Sequence, residues 1–106
     1  MIAIALTRRL ANYTGFAAEG HSGYAEAGQD ILCAAVTAAV QLLECQLGDV
    51  LNLSPRVETC EERARISLSL PACNVAAAQP ALRAFALVAR QWADRYPDHI
   101  SFQEVQ

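Results

Sequence analysis

Hydrophobic and polar positions along this chain follow two different periods, and the switches between them outline its elements. Residues 2–8 set Ile2, Ile4 and Leu6 against Ala3, Ala5 and Thr7, a period of two that predicts a strand with one large-residue face. Arg8 to Asn12 turns the chain, and residues 13–18 read as a second strand. From about Ile31 to Leu47 the period becomes helical. Leu32, Val36, Ala39, Leu43 and Leu47 make an apolar ridge, and Asp30, Cys33, Thr37, Gln41 and Glu44 form an opposing stripe at steps of three or four. Gly48 is placed to close the helix as its C′ residue. This helix is apolar over most of its circumference and is expected to be buried by more than one neighbour.

After Pro55 a third strand is predicted over about Arg56 to Glu61, then a polar turn, Glu61-Glu62-Arg63. Ala64 to Leu70 alternates most cleanly of all, with Ile66, Leu68 and Leu70 on one face and Arg65, Ser67 and Ser69 on the other. A second helix follows over roughly Val75 to Tyr96, with Asn74 as a candidate cap and Pro80 either in an early turn or at a kink. Its apolar face holds Leu82, Phe85, Ala89, Trp92 and Tyr96; Pro97 stops it, and Ile100 to Val105 reads as a last strand. The order strand-strand-helix-strand-strand-helix-strand predicts an α+β fold, two helices packed on an antiparallel or mixed sheet. At 106 residues, one domain spanning 1–106 is expected.

Composition sharpens the picture modestly. The chain is 54% hydrophobic and 18% charged, which excludes the disordered class and hints at a buried subunit interface. Net charge is −3 and all basic residues are arginines, so phosphate-backbone binding is disfavoured and a basic peptide or protein is the better partner. No secretory signal precedes the first strand, and no uninterrupted apolar run approaches the ~18 residues of a membrane span. A cytoplasmic location without membrane or direct nucleic-acid contact is therefore expected. The four cysteines, Cys33, Cys45, Cys60 and Cys73, lack metal-ligand spacing, so no metal or other cofactor is expected. They are expected as free thiols, with Cys45, Cys60 and Cys73 serving as packing residues.

The chemistry concentrates in residues 20–38. A glycine-punctuated loop from Gly20 through Gly23 to Gly28 carries His21, and Asp30 then offers itself as N-cap with Cys33 in the first helical turn. Unsatisfied N–H groups and the helix dipole favour a thiolate there, whereas the Asp30 carboxylate opposes it. The glycines allow the loop to fold compactly and return His21 to Cys33, the pairing that thiol chemistry requires. A cysteine in an apolar helix is more often core filler, but Cys33 lies on the polar stripe. His99, beside Asp98, competes for the role of base, although nothing in the sequence ties it to Cys33.

The run Gly20-His21-x-Gly23-x-Ala25-x-x-Gly28-x-Asp30-Ile31-x-Cys33-Ala34-Ala35-Val36 resembles the signature of the ribosomal-processing cysteine protease (Prp) family, and the likeness extends over essentially the whole chain. The resemblance implies Cys33 as nucleophile and His21 as base, with Asp30 and a hydroxyl one turn after the cysteine in support. That hydroxyl is Thr37 here, where the family commonly has serine. It also implies a homodimer and, as substrate, the short N-terminal extension of a large-subunit ribosomal protein, cut after an aromatic residue. Two other readings stand beside this one. One is a thiol enzyme of another kind, an acyl transferase or a redox enzyme, the latter disfavoured by the lack of a nearby resolving cysteine. The other is a non-catalytic ribosome-associated binding or assembly module in which Cys33 only packs.

Overall fold

A computed structural model describes residues 1–21 and 31–106. In chain order these form β1 (Ile2–Arg9), β2 (Asn12–Gly20), α1 (Ile31–Cys45), β3 (Arg56–Cys60), β4 (Arg65–Ser69), α2 (Val75–Arg95) and β5 (Ile100–Val105). A π-helical turn, Gln46–Val50, prolongs α1, and a 3-10 turn, Ala72–Asn74, leads into α2. The strands make one sheet in the order β3-β4-β2-β1-β5. Every pairing is antiparallel except β1 with β5, so the α+β expectation resolves to a mixed sheet.

Register explains why one face is covered. Across the sheet, Ile2 pairs with Ile100, Ile4 with Ala18, and Leu6 with Phe16, which in turn pairs with Leu68. Partners in register share a face. These seven residues are all buried, in one cluster with Leu32, Val36, Val40, Leu43 and Leu47 of the first helical segment and Ala78, Ala81, Leu82, Phe85, Ala86 and Ala89 of α2. Phe16 and Phe85 rings meet at 4.8 Å between centroids. On the opposite face Ala3 and Thr7 are exposed, as their small size and period of two predict.

The ends of elements depart from expectation in physically legible ways. Gly48 does not terminate α1. The chain passes through it into wider turns, with the Leu51 N–H bonded to the Gln46 carbonyl at 3.0 Å, and the left-handed residue is Asn52 (φ 55°). That extension keeps Leu47 fully buried. Asn74 does not cap α2 with its side chain; its Oδ1 instead accepts the Ser54 N–H at 2.9 Å, tying the linker after α1 to the start of α2. Pro80 lies inside α2, which continues through it as one element. By length and mean hydropathy, residues 31–50 and 72–95 would each suffice to cross a membrane, although neither is an unbroken apolar run. Here both instead lay apolar faces on the sheet. Cys45 and Cys73 are exposed, so they are not the packing residues expected; each sits on the solvent side of its element.

A polar cluster pins β1, β2, α2 and β5 together at the β1–β2 turn. Glu104 accepts hydrogen bonds from the Tyr13 hydroxyl (2.8 Å), Arg8 (2.9 Å) and Arg90 (2.8 Å). The Tyr13 bond, then the Arg8 bond, hold the Glu104 carboxyl below its ordinary pKa, while burial and the neighbouring carboxylate push the Tyr13 phenol up. A depressed carboxyl contributes stability that is fully present above its unfolded pKa and lost as pH falls through the folded one. Glu104→Gln should therefore lower stability at pH 7 by a constant amount down to about pH 5, the difference from wild type shrinking below about pH 4. Urea denaturation of both proteins across that range measures it.

Candidate active site

Gly20 ends β2 with φ +98°, a region that side-chain-bearing residues avoid, and a Cβ there would collide with the Met1 carbonyl oxygen. Its N–H donates to the Ala64 carbonyl at 3.1 Å, so the β2 exit is fastened to the β3–β4 turn. Immediately after it, His21 is exposed at the mouth of a cleft of about 610 Å³. Cys33, the third residue of α1, lines the same cleft and is half-buried. Gly23, Gly28 and Asp30 lie outside the described residues.

The cleft follows α1. Cys33, Thr37, Gln41 and Glu44 form one wall, so the polar stripe lines a single feature. It flanks the buried row rather than opposing it: at 100° per residue the two are about a quarter-turn apart, and Val40, not Ala39, completes the buried row. Thr59, Ala64 and Ile66 of the β3–β4 ribbon line the other side, with Ile2, Ala18, Val36 and Val40 adding apolar surface between. Nothing local in the sequence pointed to Thr59 or Ile66, since it is the pairing of β4 with β2 that brings the ribbon alongside α1. Sequence reasoning therefore had one wall of the cleft and missed the other.

Two details limit the chemistry. The Thr37 hydroxyl donates to the Cys33 carbonyl one turn earlier at 2.8 Å, so its proton is committed to the backbone. Cys60 also borders the cleft, which corrects its reading as a packing residue. In register it matches Arg65 and, through it, Glu19, whereas Thr59 matches Ile66 and Ala18. Strand alternation thus turns Cys60 to the face away from the helices, not toward Cys33. His99 is absent from the described cleft lining; its backbone joins the Tyr96 turn to β1. No group of side chains suited to a metal ion occurs among the described residues.

The sequence matches the cysteine protease Prp family over residues 1–101. The chain belongs to that family. It is thus a cysteine protease by descent, and the fold agrees. The Prp ribosomal processing protease of Staphylococcus aureus with a covalently linked product peptide superposes with a TM-score of 0.89 at 19% identity, covering 98% of this chain and 99% of that one. The same S. aureus protease with a substrate peptide gives 0.84 at 18% identity, with coverage of 98% and 99%. A protein from Streptococcus mutans gives 0.88 at 23% identity, with coverage of 99% and 97%. No curated protein sequence matches the chain.

Two glycines near the ends of this wall differ sharply in their demands. Gly20→Ala should cost about 1–3 kcal/mol, because it meets both a disfavoured φ and a backbone oxygen. Gly48 has open space where a methyl group would stand, and its replacement by alanine should gain about 0.4–1 kcal/mol. Urea midpoints of the two variants should therefore move in opposite directions from wild type.

Proposed function

We propose that this Prp-family protein is an endopeptidase that removes a short N-terminal extension from a large-subunit ribosomal protein, with Cys33 as nucleophile and His21 as base. The observation that carries the reading is that His21 and Cys33, twelve residues apart in sequence, line one cleft large enough for a peptide. The S. aureus relatives, bound to a product peptide and to a substrate peptide, support the choice of substrate class.

In the proposed reaction, His21 accepts the Cys33 thiol proton and the thiolate attacks the scissile carbonyl carbon, forming a C–S bond. The carbonyl electron pair moves to oxygen, and the oxyanion is held by N–H groups of the first turn of α1, which lack helical acceptors and sit at the positive end of the dipole. Collapse breaks the C–N bond, and imidazolium His21 protonates the leaving amine. Water, deprotonated by His21, then hydrolyses the thioester and restores the thiol. Asp30 and Thr37 are assigned supporting roles: Asp30 would cap the helix, order the loop or orient His21, and Thr37, through its bond to the Cys33 carbonyl, stiffens the turn carrying the nucleophile. The enzyme is placed in the cytoplasm, where free thiols persist and ribosomal proteins are made.

A homodimer belongs to the same proposal. The face of α1 turned away from the core presents Ile31 (62% exposed), Ala34, Ala35, Ala38, Leu42 (69% exposed) and Cys45, an apolar surface without a charge. A second copy would cover it.

Two measurements test these assignments. Cys33→Ala and His21→Ala should each abolish cleavage of the host's ribosomal protein precursor, with circular dichroism and melting unchanged; a wild-type rate in either refutes the pair. Light scattering at micromolar concentration should give a dimer mass, and Leu42→Glu should shift it to the monomer.

A further inference from the structure

Along the α1 wall of the cleft, one charged group is not used by the proposed chemistry; Glu19, Glu61 and Arg65 border the cleft from the strand side. Glu44 is half-buried on the stripe that carries Cys33, and it has no ion pair among the described residues. Arg65 also borders the cleft but pairs with Glu19 instead. Arg65 and Arg63 both pair with Glu19, and Glu19 and Arg65 lie on the sheet face away from the helices. Between Cys33 and Glu44 the wall offers only Thr37 and Gln41, uncharged, above the apolar surface of Val36, Val40 and Ile66. Along α1 a bound peptide therefore meets an uncharged, partly apolar track that ends at a carboxylate with no ion pair among the described residues, while Arg65 and Glu61 border the cleft from the β3–β4 side.

Spacing turns this into a position. Cys33 and Glu44 are eleven residues apart on one helix, about 16 Å along its axis at 1.5 Å per residue. An extended peptide advances about 3.3 Å per residue, so that distance spans roughly five residues, and the reach of a lysine or arginine side chain widens it to between four and six. We infer that Glu44 is a specificity-determining residue, selecting peptides that carry a lysine or arginine four to six residues from the scissile bond. This rests on the endopeptidase reading above. The net charge of the chain pointed only to basic partners in general, whereas the helix places one carboxylate at a measured step from the nucleophile. A partly desolvated charge pair also penalises an acidic residue at the same step, so the site rejects as well as selects.

Cleavage of a proteome-derived peptide library, with cut sites identified by mass spectrometry, tests the inference without knowledge of the natural substrate. Wild-type enzyme should enrich Lys and Arg four to six residues from the cut on one side. A cleaved peptide and its Lys→Gln counterpart should differ roughly three- to tenfold in kcat/KM, mostly through KM, with the ratio shrinking in high salt. In Glu44→Gln the ratio should fall to about one, and in Glu44→Lys it should invert toward Asp and Glu. Because each enzyme is compared with itself on paired peptides, partial loss of folded protein does not move the ratio. Cleavage without positional enrichment, or enrichment that survives Glu44→Gln, overturns the role of Glu44 while leaving the endopeptidase reading intact. Failure to cut any peptide overturns that reading, and the inference with it.

Discussion

One-sided burial of α1 is the constraint on which the rest depends. Leu32, Val36, Val40, Leu43 and Leu47 must all leave water together, and on a 3.6-residue period they do so at only one rotation of the helix about its axis. Once that rotation is fixed, two other faces follow without further choice. The polar stripe turns a quarter-turn aside to become a cleft wall, and Ile31, Ala34, Ala35, Ala38 and Leu42 face outward. Each buried aliphatic side chain contributes about 1.5–3 kcal/mol, so the orientation of the helix that carries Cys33 is held by core packing rather than by polar contacts at the cleft. This separates the tasks: the core holds Cys33 in place and leaves its thiol at the cleft.

The second anchor is backbone. β2 leaves the sheet at Gly20, where only glycine fits both the positive φ and the approach to Met1, and the N–H bond to Ala64 fixes the exit against the next hairpin. His21 follows at once and has little freedom in where it can emerge. A cysteine carried by core packing and a histidine carried by a strand end arrive at the same cleft from separate elements. The cluster of Glu104, Tyr13, Arg8 and Arg90 lies at the other end of the β1–β2 hairpin, binding strands and α2 together at a distance from the cleft.

The family relationship and the physical reading support one another at different levels. The match over residues 1–101 makes the chain a cysteine protease, while the likeness to the solved structures, at identities below 25%, speaks for the fold. The structure adds what neither does: the thiol at the positive end of a helix, the uncharged stretch of Thr37 and Gln41 beside it, and the Glu44 carboxylate beyond. The redox alternative is disfavoured on a structural ground: Cys60 borders the cleft, but strand alternation turns it to the sheet face away from the helices and from Cys33.

The sequence by itself determined the elements and one wall of the site. Period-two alternation in Ile2-Ala3-Ile4-Ala5-Leu6, helical spacing from Leu32 to Leu47 and the glycine-histidine-cysteine spacing are local signals, written within a few residues of one another. What it misjudged was also informative. Gly48 looked like a helix stop, but the burial of Leu47 carries the chain through a wider turn; Asn74 looked like a cap, but its side chain found the Ser54 amide. Cys45 and Cys73 looked like packing residues, but they lie outside. Only the tertiary structure decided the strand order, the parallel pairing of β5 with β1, and the approach of Thr59 and Ile66 to α1. These depend on contacts between residues far apart in the chain. Such contacts leave no periodicity in the sequence, because their geometry is set by which faces can be buried together.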